Sequence, residues 1–430
     1  MHAKPAGMRH CGRWLAALIG MALAVSGCGG GTGTESSASL QAPVAKVPAA
    51  PADSGDGAAL EANTTIIRIG DGPAGPNSKT NVPFVSVNVC APGDATSCQV
   101  IDHVILDTGS TGLRLVGSAL KNASTFKQQS DASGDSYAEC AQFSSGYAWG
   151  PVKRADVYLG GVRASSVPIH VIGDPDFAQM PASCPNGGTA WNTVESFGGN
   201  GLLGVDVFRE DCGSACVDNA MEGNYYVCPQ GGACVPSTIP IEKQVAQPVA
   251  LLANDNNGLM IDLPAIGAGG ARDVTGLLVL GIGTRGNNAL GSAKAYGLDS
   301  RGSFTTVVDG RRYTDSFVDS GSNFLFFQSS SLPTCPNASG GRPYCPDSPR
   351  TLSAFVQGAN GATGTVGFSI ANVSALRAAN PGASAFNNIG ASTADRDVFN
   401  WGLPFFFGRR VFIAVEGSKS PAGPGPYVAF

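Results

Sequence analysis

The residues best placed to do chemistry together are two aspartates, Asp107 and Asp319, each set in the same frame. The first lies in Val104-Ile105-Leu106-Asp107-Thr108-Gly109-Ser110, the second in Phe317-Val318-Asp319-Ser320-Gly321-Ser322. In both, an apolar run enters Asp-[Thr/Ser]-Gly-Ser and another leaves it, which predicts a buried strand, a sharp turn and a returning strand. One Asp-Thr-Gly suits an ordinary turn. Two copies in one frame, in opposite halves of the chain, point to a paired-carboxylate site. Two adjacent carboxylates resist ionising together, so the pair shares one proton. The ionised member can take a proton from water while the protonated member donates to a substrate carbonyl. Amide hydrolysis by such a pair needs no covalent intermediate, metal or cofactor.

These motifs resemble the pepsin-like aspartic peptidases, in which each lobe gives one Asp-[Thr/Ser]-Gly loop. The chain is also similar to a family of uncharacterised bacterial lipoproteins carrying the same pair. The resemblance implies an all-β, or mostly β, bilobed architecture with a central cleft and a polypeptide as substrate or ligand. It implies that Asp107 and Asp319 form the dyad and that Thr108 and Ser320 lock the loops from beneath. Ser110 and Ser322 would bond the outer carboxylate oxygens, with Gly109 and Gly321 shaping the turns. Residues 140–152 resemble the flap hairpin, with Phe143 at the usual tyrosine position unless Tyr147 reaches it through a shifted turn. Gly201-Leu202-Leu203-Gly204 resembles the apolar-apolar-Gly element beneath the first loop, where backbone must approach backbone closely. Its counterpart near the C-terminus departs from the pattern as Asn400-Trp401-Gly402. The likeness spans roughly residues 81–430. Two functions are therefore expected: a lipid-anchored aspartic endopeptidase, favoured by both aspartates, or a polypeptide-binding or envelope-assembly lipoprotein with little turnover, favoured by the departures.

The elements that must position this pair can be read more coarsely. A chain of 430 residues predicts two sizeable lobes, the first over 64–240 and the second over 241–430. Fifty-nine glycines, 28 prolines and short β-branched runs favour many short strands over long amphipathic helices. Strands are expected near 65–69, 82–89 and 99–106, and again near 259–263, 276–281, 304–308 and 313–318. Only 14% of residues are charged and no basic cluster occurs, which argues against nucleic acid as a partner. A monomer is favoured.

Lys4, Arg9 and Arg13 precede an apolar run over 14–25, and Val25-Ser26-Gly27-Cys28 resembles a lipobox. Residues 1–27 are therefore expected to be a signal peptide, Cys28 an acylated N-terminus in the lipid bilayer, and 28–63 a disordered tether. Gly29 in place of Asp favours the outer over the inner membrane of the cell envelope. With Cys11 removed in the signal peptide, the ten remaining cysteines in an oxidising compartment predict disulfides. Cys90/Cys98 and Cys335/Cys345 are the easiest local pairs, whereas Cys212, Cys216, Cys228 and Cys234 could alternatively hold zinc. Disulfides are preferred, because exported chains rarely keep thiolates free. Gly281-Ile282-Gly283-Thr284-Arg285-Gly286 fits a dinucleotide pattern but lacks a convincing helix after it. His103 reads as an ordinary strand residue, and no serine elbow or zinc-protease helix appears.

Overall fold

Burial follows the local pattern of the sequence. In Arg350–Gln357, Leu352, Ala354 and Val356 turn inward while Thr351, Ser353 and Phe355 face solvent, the period of a strand with one wet face. Thr111–Val116 and Gly201–Val205 are buried at every position, as nearly continuous apolar runs covered on both faces should be. The computed structural model describes residues 60–73, 80–121, 123–144, 146–185, 187–336 and 342–430. The expected signal peptide, Cys28 and the tether up to residue 59 lie outside them. Among the described residues the fold is mostly β. Its longest helix, Val373–Ala379, has 7 residues, and no helix is long and apolar enough to cross a membrane.

The expected strands form, and their partners cross between the two halves of the chain. Thr64–Ile69 pairs antiparallel with both Pro83–Cys90 and Val274–Leu280. Gly258–Leu263 then bridges Val274–Leu280 and Arg409–Ala414, and Tyr427–Ala429 continues that sheet. These strands belong to a system of 17, while a separate sheet of seven strands carries the second aspartate. One hydrophobic core joins the two systems: Ile67, Leu106 and Leu203 share it with Leu278, Val318 and Trp401. Asn81 adds a polar tie. It is 0% exposed, donates Nδ2 to the carbonyls of Asn323 and Phe386, and accepts the amide of Phe386 at 2.7 Å.

All ten cysteines among the described residues are oxidised, as Cys90–Cys98, Cys140–Cys184, Cys212–Cys216, Cys228–Cys234 and Cys335–Cys345. The four thiols considered for zinc thus form two disulfides. The glycine-rich 281–286 segment runs into a three-residue 3-10 turn, Gly286–Asn288. That turn is too short to present a helix N-terminus to a pyrophosphate.

Candidate active site

Each aspartate ends a strand that is braced by a second strand threaded beside it. Gly201–Val205 lies between Cys98–Asp107, to which it is parallel, and Thr111–Val116, to which it is antiparallel. The second site repeats the arrangement, with Val398–Gly402 parallel to Arg311–Asp319 and antiparallel to Leu325–Phe326. Register sets Gly204 opposite Asp107 and Gly402 opposite Asp319. Both positions require glycine. A Cβ on Gly204 would lie 2.8 Å from Ser110 O, and one on Gly402 2.1 Å from Phe324 O.

His103 lies within the strand Cys98–Asp107, as expected, but with a left-handed backbone. Its φ of 48° accompanies a register shift between Val85 and Val87, so a bulge re-aims the strand just before the loop. The His103 carbonyl accepts Asn200 N at 3.0 Å, which starts the parallel pairing of the bracing strand.

The two turns interlock through reciprocal hydrogen bonds. Thr108 N donates to Ser320 Oγ at 3.1 Å, and Ser320 N donates to Thr108 Oγ1 at 3.0 Å. Thr108 Oγ1 in turn donates to Val318 O, and Ser320 Oγ to Leu106 O at 2.7 Å. Bonds of this kind contribute about 1 kcal/mol each. Their larger effect is geometric, because they fix one aspartate against the other.

The carboxyls of Asp107 and Asp319 are neighbours, each lying against the glycine of the other's loop, and both are 0% exposed. Gly109 N donates to Asp107 Oδ1 at 2.8 Å and Ser110 Oγ to Asp107 Oδ2 at 2.5 Å. Ser322 N donates to Asp319 Oδ1 at 3.1 Å and Ser322 Oγ to Asp319 Oδ2 at 2.7 Å. Asp319 takes a further donor, Asn400 Nδ2, on Oδ2 at 2.8 Å. Burial, and then the neighbouring Asp107 charge, push Asp319 well above the usual carboxylate range, against the bonds from Ser322 and Asn400. The pair therefore holds a proton under conditions where isolated aspartates would lose theirs.

The hairpin of Ser136–Phe143 and Gly146–Leu159 occupies the expected position in the chain. Phe143 is buried against Trp191, at 5.1 Å between ring centroids, and beside Phe197. Tyr147 joins a neighbouring cluster with Trp149 and the Cys140–Cys184 disulfide. Both aromatics are thus seated in packed surroundings.

Two groupings escaped the sequence. Asn400 stood out there only as a departure from an apolar pattern, yet it touches Asp319 directly. A buried ion cluster joins the strand leaving the first loop to the base of the hairpin: Arg114 Nη2 contacts Glu139 Oε1 at 2.5 Å and Asp211 Oδ2 at 2.9 Å. His170 Nδ1 stands 3.0 Å from Glu139 Oε2, and Tyr225 donates its hydroxyl to Asp211 at 2.6 Å. Burial acts to raise Glu139, but the charges of Arg114 and His170 outweigh it and hold that carboxyl well below the usual range. Asp211 is pushed the other way, by burial and then by the Glu139 charge.

Fold and site together define an all-β protein with two interlocked Asp-[Thr/Ser]-Gly-Ser loops. The chain belongs to the family described as protein of unknown function (DUF3443), which matches residues 59–430. A comparison with curated proteins found no match.

Proposed function

We propose that the protein is a pepsin-like peptide hydrolase in which a water activated between Asp107 and Asp319 attacks the substrate amide. The observation that supports this most is the pairing of two fully buried neighbouring carboxyls, each held by its own loop serine. In this reading the ionised aspartate removes a proton from the water. The other protonates the carbonyl oxygen as the tetrahedral intermediate forms. As the C–N bond breaks, the first aspartate passes its proton to the departing nitrogen and the second takes one back from a hydroxyl of the intermediate, which restores the pair. Thr108 and Ser320 hold the carboxyls at a fixed separation, so little reorganisation is needed on the way to the transition state.

The enzyme would work in the cell envelope, anchored to a bilayer, outer membrane before inner, through an acylated Cys28. Fatty-acid labelling of the wild type and not of Cys28→Ser would support that anchor. The hydrolase reading is tested by incubating the purified full chain with a mixed peptide library from acid to neutral pH. Cleavage should occur and should fall by at least about 10²–10⁴-fold in Asp107→Asn and in Asp319→Asn, the range of acid-base transfer alone. A wild type that cleaves nothing, or variants that cleave equally well, would refute it.

A second reading keeps the fold as a polypeptide-binding or envelope-assembly lipoprotein with little turnover. It draws on Phe143, which offers no hydroxyl and sits packed between Trp191 and Phe197. Peptide binding without cleavage would favour it.

A further inference from the structure

The two bracing strands are equivalent in register but not in chemistry. Leu202 lies opposite Ile105, two residues before Asp107, and Asn400 lies opposite Phe317, two residues before Asp319. Leu202 packs into the apolar cluster that contains Ile105 and Phe143. Asn400 is 2% exposed and spends its amide donors on Asp319 Oδ2 and Ser322 Oγ, both at 2.8 Å. Its Oδ1 is buried without a hydrogen-bond partner among the described residues. Burying an amide with an unmade bond is unfavourable, and a leucine fills the matching position on the strand that braces the first loop. The return on Asn400 therefore lies in its donors.

The geometry points to Asn400 as a positioning residue that stabilises the ionised form of Asp319 and so lowers the pH at which the pair first gives up a proton. The inference rests on the dyad reading above. Oδ2 of Asp319 accepts from Ser322 and from Asn400, while Oδ2 of Asp107 accepts from Ser110. An N–H donor favours an ionised oxygen over a protonated one, so the two aspartates are not interchangeable. Asp107 is the ionisable group neighbouring Asp319. The surrounding strands bear their other charges three or more residues away along the chain. These are Arg311, Arg312 and Asp315 on the strand of Asp319, Asp102 and His103 on that of Asp107, Arg114 on the strand leaving its loop, and Asp397 before that of Asn400; Asp206, just past Gly201–Val205, donates its amide to Ser110 O. The asymmetry thus comes from a neutral amide, and it should weaken little with salt.

The test compares the full chain with Asn400→Leu, which repeats the residue found at position 202. Thermal stability is followed against pH in both, and again with Asp319→Asn as the background. Removing a donor to the charged form raises the apparent pKa of the folded pair. Stability lost by Asn400→Leu should then be smallest in acid and grow as pH rises through that pKa. The pH dependence of the loss should vanish in the Asp319→Asn background. Where peptide cleavage is measurable, its acid limb should move up by about one pH unit in Asn400→Leu, the size expected of one hydrogen bond to a charged group. Should Asn400→Leu not fold, Asn400→Ala is read in the same way. A loss of stability equal at every pH, or unchanged by Asp319→Asn, would overturn the inference. A wild type that cleaves nothing would overturn the hydrolase reading instead, because the stability series needs no turnover.

Discussion

A methyl group on Gly321 would place its carbon 2.6 Å from Asp107 Oδ1, so the glycine of each loop leaves room for the aspartate of the other. The reciprocal distance, from a Cβ on Gly109 to Asp319 Cγ, is 2.7 Å. Neither glycine has a left-handed φ, so the obstacle to a side chain is the carboxyl and not the backbone. Gly321→Ala should therefore part the two carboxyls while leaving the strands intact. Cleavage of a peptide library should fall to the level of Asp107→Asn, with an unchanged far-ultraviolet circular dichroism spectrum. Full activity in Gly321→Ala would show that close approach of the pair is not required.

Stability should also report the shared proton. Burial and the Asp107 charge raise the folded pKa of Asp319 above its unfolded value. A group raised in this way contributes most below its unfolded pKa, and that contribution is lost as pH climbs through the folded one. Asp319→Asn removes the liability, since asparagine carries no charge. Its stability relative to the wild type should rise from acid toward neutral pH and level off above the folded pKa. The rise should be about 1.4 kcal/mol for each pH unit that separates the folded from the unfolded pKa. Urea denaturation at a series of pH values measures this, and a flat difference would contradict it.

The Arg114 cluster should matter more than surface pairs such as Arg410 with Asp262, whose arginine is 63% exposed. Arg114→Met strands Glu139 and Asp211 together in the interior. Breaking a buried pair in this way costs about 3–5 kcal/mol. Arg410→Met should cost under about 1 kcal/mol. Chemical denaturation of the two variants distinguishes them, and equal losses would mean that the buried cluster is not supporting the hairpin.

Among the disulfides, Cys140–Cys184 closes 44 residues and Cys212–Cys216 closes 4. Chain-entropy reasoning assigns about 4 kcal/mol to the longer loop and about 2 kcal/mol to the shorter. Replacing Cys140 and Cys184 together by serine should lower the melting temperature more than the same change at Cys212 and Cys216. The reverse order would indicate that strain or residual unfolded structure dominates.

The sequence by itself determined what local pattern can encode. The apolar frames around Asp107 and Asp319 specified two buried strands ending in sharp turns, because alternation, burial and turn chemistry act over a few residues. Cys90 with Cys98, and Cys335 with Cys345, were legible for the same reason, since a short separation leaves few partners. Tertiary structure decided the rest. Cys140 found Cys184 across 44 residues, with nothing local to name the partner. Thr64–Ile69 paired with Val274–Leu280 because long-range strand choice depends on how whole sheets bury their faces, not on either segment alone. Arg114, Glu139, His170 and Asp211 lie on four separate segments and become a cluster only once those segments pack. Asn400 shows the division most clearly. Its polarity at an apolar position was visible in the chain, but only the parallel register of Val398–Gly402 with Arg311–Asp319 turned that polarity toward the Asp319 carboxyl.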